Sequence, residues 1–154
     1  MVYLTKEMKE YYMNDFTNNV VNCSDKYWGL DKGLLEICTE INKNKNVQTV
    51  YSKKYSGKHS CNSISYLWIL ISEDADVDKI NKFIRECQSK IEKFEFMHYS
   101  APEPIKNERK DIVNLCVTDP KYLQNGYISV SMCSEKLKDH KFFWETIKKN
   151  IKNW

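Results

Sequence analysis

The sequence predicts an α+β domain: a mostly antiparallel sheet of about five strands with helices packed on one face. Three observations carry this expectation. Val77, Ile80, Ile84, Cys87, Ile91 and Phe94 alternate steps of three and four, which places one apolar stripe along a helix over 76–94. The run Ile64–Ile71 is apolar at both odd and even positions from Tyr66 onward, as in a strand covered on both sides. Strand-like runs also follow one another with short, turn-rich connections, which favour antiparallel neighbours. The predicted order is α-α-β-β-α-β-β-β-α, within a single domain spanning 1–154.

The first helix is expected over 5–22, where Thr5 can cap the N-terminus and Leu4, Met8, Tyr12, Phe16 and Val20 recur every fourth residue. A turn at 24–29 separates it from a second helix over about 32–43. That helix is capped by Asp31 and buries Leu34, Leu35, Cys38 and Ile41. After the polar loop Asn42–Asn46 the period changes to two. Thr49, Tyr51, Lys53 and Tyr55 then share one face, and Gln48, Val50, Ser52 and Lys54 the other. Neither face is wholly apolar, so this is read as a partly exposed or edge strand.

Gly57 opens a loop over 56–62, and the central strand Ile64–Ile71 follows. Beyond the 76–94 helix lie strands at Glu95–Ser100, Ile112–Thr118 and Tyr127–Cys133. Their connections carry Pro102, Pro104, Asp119-Pro120 and Asn125-Gly126 turn chemistry. A closing helix after Ser134 places Leu137, His140, Trp144, Ile147, Ile151 and Trp154 on one stripe, with Ser134 as its cap.

Composition narrows the setting. Lys, Asn, Ile and Tyr are abundant while arginine occurs only at 85 and 109, the bias of an AT-rich genome. Runs of Lys or Asn therefore carry little functional weight. Six cysteines stand at 23, 38, 61, 87, 116 and 133, with no CxxC and no zinc-finger spacing. The opening residues turn charged before any apolar run develops, so no signal peptide is read. The longest apolar run, Tyr66–Ile71, is too short to span a bilayer. The expectation is a cytoplasmic, reducing compartment with free thiols, those of Cys38, Cys87, Cys116 and Cys133 buried and inert.

Few residues combine into recognisable chemistry. The acidic stretch Glu73–Asp78 spaces its carboxylates like the start of a calcium loop, but Lys79 and Arg85 stand where such a loop needs Gly and Glu. It is read as the N-terminal cap of the following helix, with no metal site. The loop Gly57-Lys58-His59-Ser60-Cys61 gathers a general base, a hydroxyl and a thiol. His59, Cys61 and, on the third strand, His98 are the candidate catalytic residues. His98-Tyr99-Ser100 supplies one half of a paired-histidine phosphoesterase pattern; His59-Ser60-Cys61 lacks the hydroxyl that the second half requires. His140, on an apolar helix stripe, is read as a hydrogen-bonded core histidine.

The candidate binding residues are Tyr51, Tyr55, Tyr99, Trp144 and Trp154, drawn from an aromatic content of 13%. Aromatic rings supply contact area at low entropic cost. From Glu135 onward six lysines face three acidic residues, a surplus equal to the net charge of +3 for the whole chain. A basic amphipathic helix can dock on a partner, an anionic membrane or nucleic-acid phosphates. The scarcity of arginine, the commonest base reader, argues against nucleic acid.

The function expected from this combination is a small binding protein acting through protein–protein contact, of inhibitor, immunity or host-interaction type, without catalysis and without a cofactor. One alternative is a small-molecule binder or enzyme with a site near the 57–61 loop and His98. The other is a nucleic-acid or membrane-surface binder using the lysine-bearing last helix.

Overall fold

A strand with two apolar faces needs cover on both sides, and Ile64–Ile71 obtains it from the middle of a sheet. The computed structural model describes residues 3–21, 32–55, 57, 63–99 and 127–154; for Asn19, Val20, Lys32, His98, Tyr99 and Tyr127 it describes the backbone alone. These residues form strands β1 (Val47–Lys53), β2 (Ile64–Ile71), β3 (Phe94–Tyr99) and β4 (Tyr127–Cys133). They also form helices α1 (Lys6–Phe16), α2 (Lys32–Asn42), α3 (Val77–Lys90) and α4 (Leu137–Asn150). The sheet order is β1-β2-β4-β3, and every neighbouring pair is antiparallel.

The α+β class is therefore correct, with four strands among the described residues. The fifth expected strand, 112–118, and the turn at 24–29 lie outside them. Because β2 and β3 both run antiparallel to β4, they are parallel to each other. The segment β2-α3-β3 is a split βαβ unit with β4 inserted at its centre.

The helices do not all pack on one face. The main core joins Leu34, Cys38 and Ile41 of α2, Ile80, Phe83 and Cys87 of α3, and Phe143, Trp144 and Ile147 of α4. It lies against Leu67, Ile69, Ile128, Val130 and Met132 of the sheet. Helix α1 covers the opposite face, where Leu4, Met8 and Tyr12 cluster on Leu70, with Val50 and Trp68 at the margin. The apolar even positions of β2 are what require this second layer.

Strand β1 departs from simple alternation. Pairing with β2 runs Thr49↔Ile69 and then Tyr51↔Trp68, so Val50 is the extra residue of a bulge. Thr49 and Ser52 both turn toward α2 as a result. The Thr49 backbone N–H donates to Asn42 Oδ1 at 2.8 Å, and Ser52 Oγ lies 3.9 Å from Cys38 Sγ. Tyr51 and Lys53 share the opposite face with Tyr66 and Trp68. The face expected to hold Thr49, Tyr51 and Lys53 together is thus split by one inserted residue.

Boundaries shift for similar local reasons. Helix α3 is capped by Asp76, whose Oδ1 accepts from the Lys79 backbone N–H at 3.1 Å. It ends at Lys90, because Ile91 turns extended and Phe94 opens β3 rather than continuing the stripe. Within it Phe83 is the fully buried residue, Ile84 is half-buried and Val77 is 66% exposed. Thr5 caps α1 as expected, accepting from the Met8 backbone N–H at 3.2 Å, but the helix gives way to a π turn over Thr17–Val21. Helix α4 begins at Leu137, and Ser134 Oγ accepts from the Lys136 backbone N–H just before it.

The stretch expected to be a polar loop at 42–46 is instead a junction. Asn42 is buried, and its Nδ2 donates to Thr49 Oγ1 at 2.8 Å. Asn44 Nδ2 donates to the Trp154 carbonyl at 2.7 Å. The Lys9 ammonium reaches from α1 to donate to the carbonyls of Asn42, at 2.8 Å, and Val47. Burial pushes the Lys9 amine down to about 8.

Candidate functional site

A cleft of about 530 Å³ opens between the start of α2, the end of β1 and the outward side of α4. Its floor contains Ile37, Tyr55, His140 and Trp144, and its margin carries Leu137, Lys54, Lys138, Lys141, Lys148, Glu36 and Glu145. Helical spacing explains the margin: 138, 141, 145 and 148 fall three or four apart along α4, as do 137 and 141, flanking the buried stripe of His140 and Trp144. Gly57 takes a φ of +77°, a conformation open to glycine, and its backbone approaches Leu137 so closely that a Cβ would lie 3.3 Å from that side chain. The start of the 57–61 loop is thereby held against the first turn of α4.

Beneath the floor lies a fully occupied polar network. His140 Nε2 faces a partner that can only accept, the Ser134 carbonyl at 2.6 Å, so Nε2 carries the proton and donates it. Nδ1 therefore accepts from Ser65 Oγ–H at 2.7 Å. Ser65 Oγ in turn accepts from the Tyr55 backbone N–H at 3.0 Å and from Trp144 Nε1–H at 3.3 Å. The Tyr55 ring leans on the imidazole with centroids 4.7 Å apart. Ser65 and His140 have the atoms of a nucleophile–base pair, but both are buried and the hydroxyl has used its proton and both lone pairs. The network fixes Tyr55 and Trp144 in place; it does not offer an attacking oxygen.

Charge around the margin is unevenly paired. Lys148 binds Glu36, which holds its ammonium above the usual lysine range, and Lys141 lies 3.9 Å from Glu145. Among the described residues, no carboxylate comes within 4.0 Å of Lys54 or Lys138. Lys54 folds over the first turn of α2, its Nζ only 3.2 Å from where a Cβ on Gly33 would stand.

The cleft brings together Tyr55 and Trp144, two of the expected binding residues, with His140, the expected core histidine. Trp154 belongs to the core instead, edge-on to Phe83 and Phe96 and 3% exposed. Tyr51 lies on the far face of the sheet, stacked on Tyr66 with centroids 5.5 Å apart. His59 and Cys61 lie outside the described residues, as do the side chains of His98 and Tyr99.

The backbone places His98 at the edge of the sheet. His98 pairs with Ile128, level with Ile69, on the edge strand farthest from β1. Ile64, the first residue of β2, stands five residues from Ile69, or about 16 Å along the strand.

Other sequence candidates resolve as structural parts. Asp76 pairs with Lys79 at 3.2 Å and caps α3, and among the described residues no group of three metal-ligating side chains comes together. Cys38, Cys87 and Cys133 are free. Burial pushes the Cys38 thiol up to about 11 and the Cys87 thiol up to about 12, while Cys133 is half-exposed. No described helix is long and apolar enough to cross a membrane.

Lys54, Lys138, Ser65 and Ile37 were not singled out by the sequence. Ser65 left a trace there, as a hydroxyl inside an otherwise apolar strand, which requires buried partners. Lys138 left one only as a member of the lysine surplus of the last helix, and Lys54 left none, because lysine is common throughout the chain. The site and fold define an α+β domain with a cleft between two helices. Compared with models of known protein families, with curated proteins and with solved structures, the chain matches none.

Proposed function

We propose that this chain is a binding protein that acts through contact with another protein, without catalysis of its own, and that the α2–α4 cleft is its contact surface. The observation that carries the reading is the construction of the cleft. Its aromatic floor is held rigid from below by the Ser65–His140 network, and its margin is charged. Rigid aromatic anchors surrounded by a polar rim are the usual anatomy of a protein-binding patch. The hydroxyl most like a nucleophile is committed to holding that floor, which favours binding over turnover.

The test is site-specific photo-crosslinking in extracts of the cells that make the protein. A crosslinker at Leu137, in the cleft margin, is expected to give one discrete protein adduct, and one at Lys82, exposed on α3, none. Ile37→Glu should abolish the adduct. Equal labelling from both positions, or no adduct from Leu137, would refute the assignment.

A further inference from the structure

We infer that the occupant of the α2–α4 cleft is an acidic amphipathic segment of the partner protein, with an apolar side chain against Ile37 and Tyr55 and carboxylates against Lys54 and Lys138. This rests on the reading of the cleft as a protein-contact surface and adds the chemistry of what fills it.

Four lysines and two glutamates line the cleft, and the two glutamates are taken by Lys148 and Lys141. The surplus is therefore local: Lys54 and Lys138, where α2 and α4 begin. The amino end of a helix carries a partial positive charge, so a lysine there is unfavourable unless an anion is near. Helix α3 shows the ordinary solution, opening with Asp76 as cap and Asp78 in its first turn. Helix α2 has no acid in its first turn, and the Lys54 ammonium is laid across that turn at Gly33. Helix α4 has Lys138 in its first turn, and its one acid there, Asp139, accepts a hydrogen bond from Ser134 Oγ at 2.6 Å. The amino ends of α2 and α4 and two ammonium groups, neither with a carboxylate within 4.0 Å among the described residues, converge on one end of an apolar-floored cleft. That end calls for carboxylates brought by the occupant.

The same geometry disfavours a polyphosphate chain. Such a chain needs positive charge along its whole track, whereas Glu36 and Glu145 occupy the far half of this margin. Among the described residues no arginine lines the cleft to offer a planar fork to a phosphate.

The experiment is an NMR titration of the full chain with three probes: a short peptide alternating leucine with glutamate, its glutamine counterpart, and an oligothymidylate. The acidic peptide is expected to shift the amides of Gly33, Ile37, Leu137 and Lys138. Lys54→Glu with Lys138→Glu should weaken it about tenfold, as loss of two exposed ion pairs allows. A peptide alternating leucine with lysine should bind the charge-reversed variant better than it binds the parent. Lys54→Met with Lys138→Met serves as the milder variant if the reversal unfolds the chain.

Equal binding of the glutamine peptide, or stronger shifts at the same amides with the oligothymidylate, would overturn the inference. If the crosslink at Leu137 persists while the acidic peptide fails, only the inference about the occupant falls. If both fail, the cleft is not a protein-contact surface.

Discussion

Removing one oxygen atom gives the sharpest test of how the cleft is held. Ser65→Ala deletes the hydroxyl but leaves the strand, its register and the neighbouring apolar packing in place. Three hydrogen bonds are lost: to His140 Nδ1 at 2.7 Å, from the Tyr55 N–H at 3.0 Å and from Trp144 Nε1–H at 3.3 Å. An ordinary intramolecular hydrogen bond contributes about 0.5–1.5 kcal/mol net, and a buried group left unpaired costs about 1–3 kcal/mol. The longest of the three counts least, and the 0% exposure of Ser65 leaves solvent no direct route to the orphaned groups. Together these place the cost at about 2–4 kcal/mol, roughly 5–15 °C in melting temperature for a chain of this size. Urea denaturation followed by circular dichroism measures it, with Ser89→Ala on the exposed side of α3 as the control, expected within about 0.5 kcal/mol of the parent. A loss below about 0.5 kcal/mol for Ser65→Ala would refute the claim that this hydroxyl organises the floor.

Other consequences are equally direct. Phe83→Ala, at the fully buried centre of α3, should cost about 3–5 kcal/mol by urea denaturation, and half-buried Ile84→Ala distinctly less; the reverse ranking would show that the helix is rotated about its axis. With thiols pushed up to about 11 and 12, Cys38 and Cys87 expose about a thousandth or less of their population as thiolate at pH 8. In the native protein Cys133 should therefore react with a thiol reagent well before either of them, and rapid labelling of Cys38 located by mass spectrometry would contradict their burial. Lys9 titrates at about 8 in the folded chain against 10.5 for an ordinary lysine, so the unfolded chain binds more protons across that window. Its contribution is complete above 10.5 and is lost as pH falls through 8, so the stability of the parent relative to Lys9→Met should rise from pH 8 to 10; a constant difference between the two urea midpoints would show that the amine is not desolvated.

Much of this architecture was legible in the sequence because it is written in periodicity. Of the expected α4 stripe, His140, Trp144, Ile147, Ile151 and Trp154 are buried while Leu137 at its start is 55% exposed, and β4 runs over Tyr127–Cys133 as read. Periodicity fails where one residue breaks phase. The bulge at Val50 sends Thr49 and Tyr51 to opposite faces, and nothing in the order of residues marks it. Phe83 and Ile84 are adjacent, so a stripe can be drawn through either; tertiary packing chose the larger ring.

Asn42 was hidden for another reason: its amide is satisfied by Thr49, and no local pattern distinguishes such an asparagine from one in a loop. The cleft was legible only in fragments. Tyr55 and Trp144 stood out as aromatic, but 89 positions separate them, and only the packing of α4 against β1 and α2 brings them to one floor.

The position of α4 in the chain has a consequence for biosynthesis. When synthesis has reached Cys133, all four described strands exist, yet Phe143, Trp144, Ile147, Ile151 and Trp154 have not been made. Until they arrive, Leu67, Ile69, Val130 and Met132 have α2 and α3 against them but lack the part of the layer that α4 supplies. Ion pairing of Lys148 with Glu36 closes a span of 112 residues, and docking of Asn44 on the Trp154 carbonyl one of 110. Contacts of such long range form late and slowly. A nascent chain at that stage presents partly uncovered apolar sheet to its surroundings, and exposed surface of this kind is prone to aggregation until α4 docks.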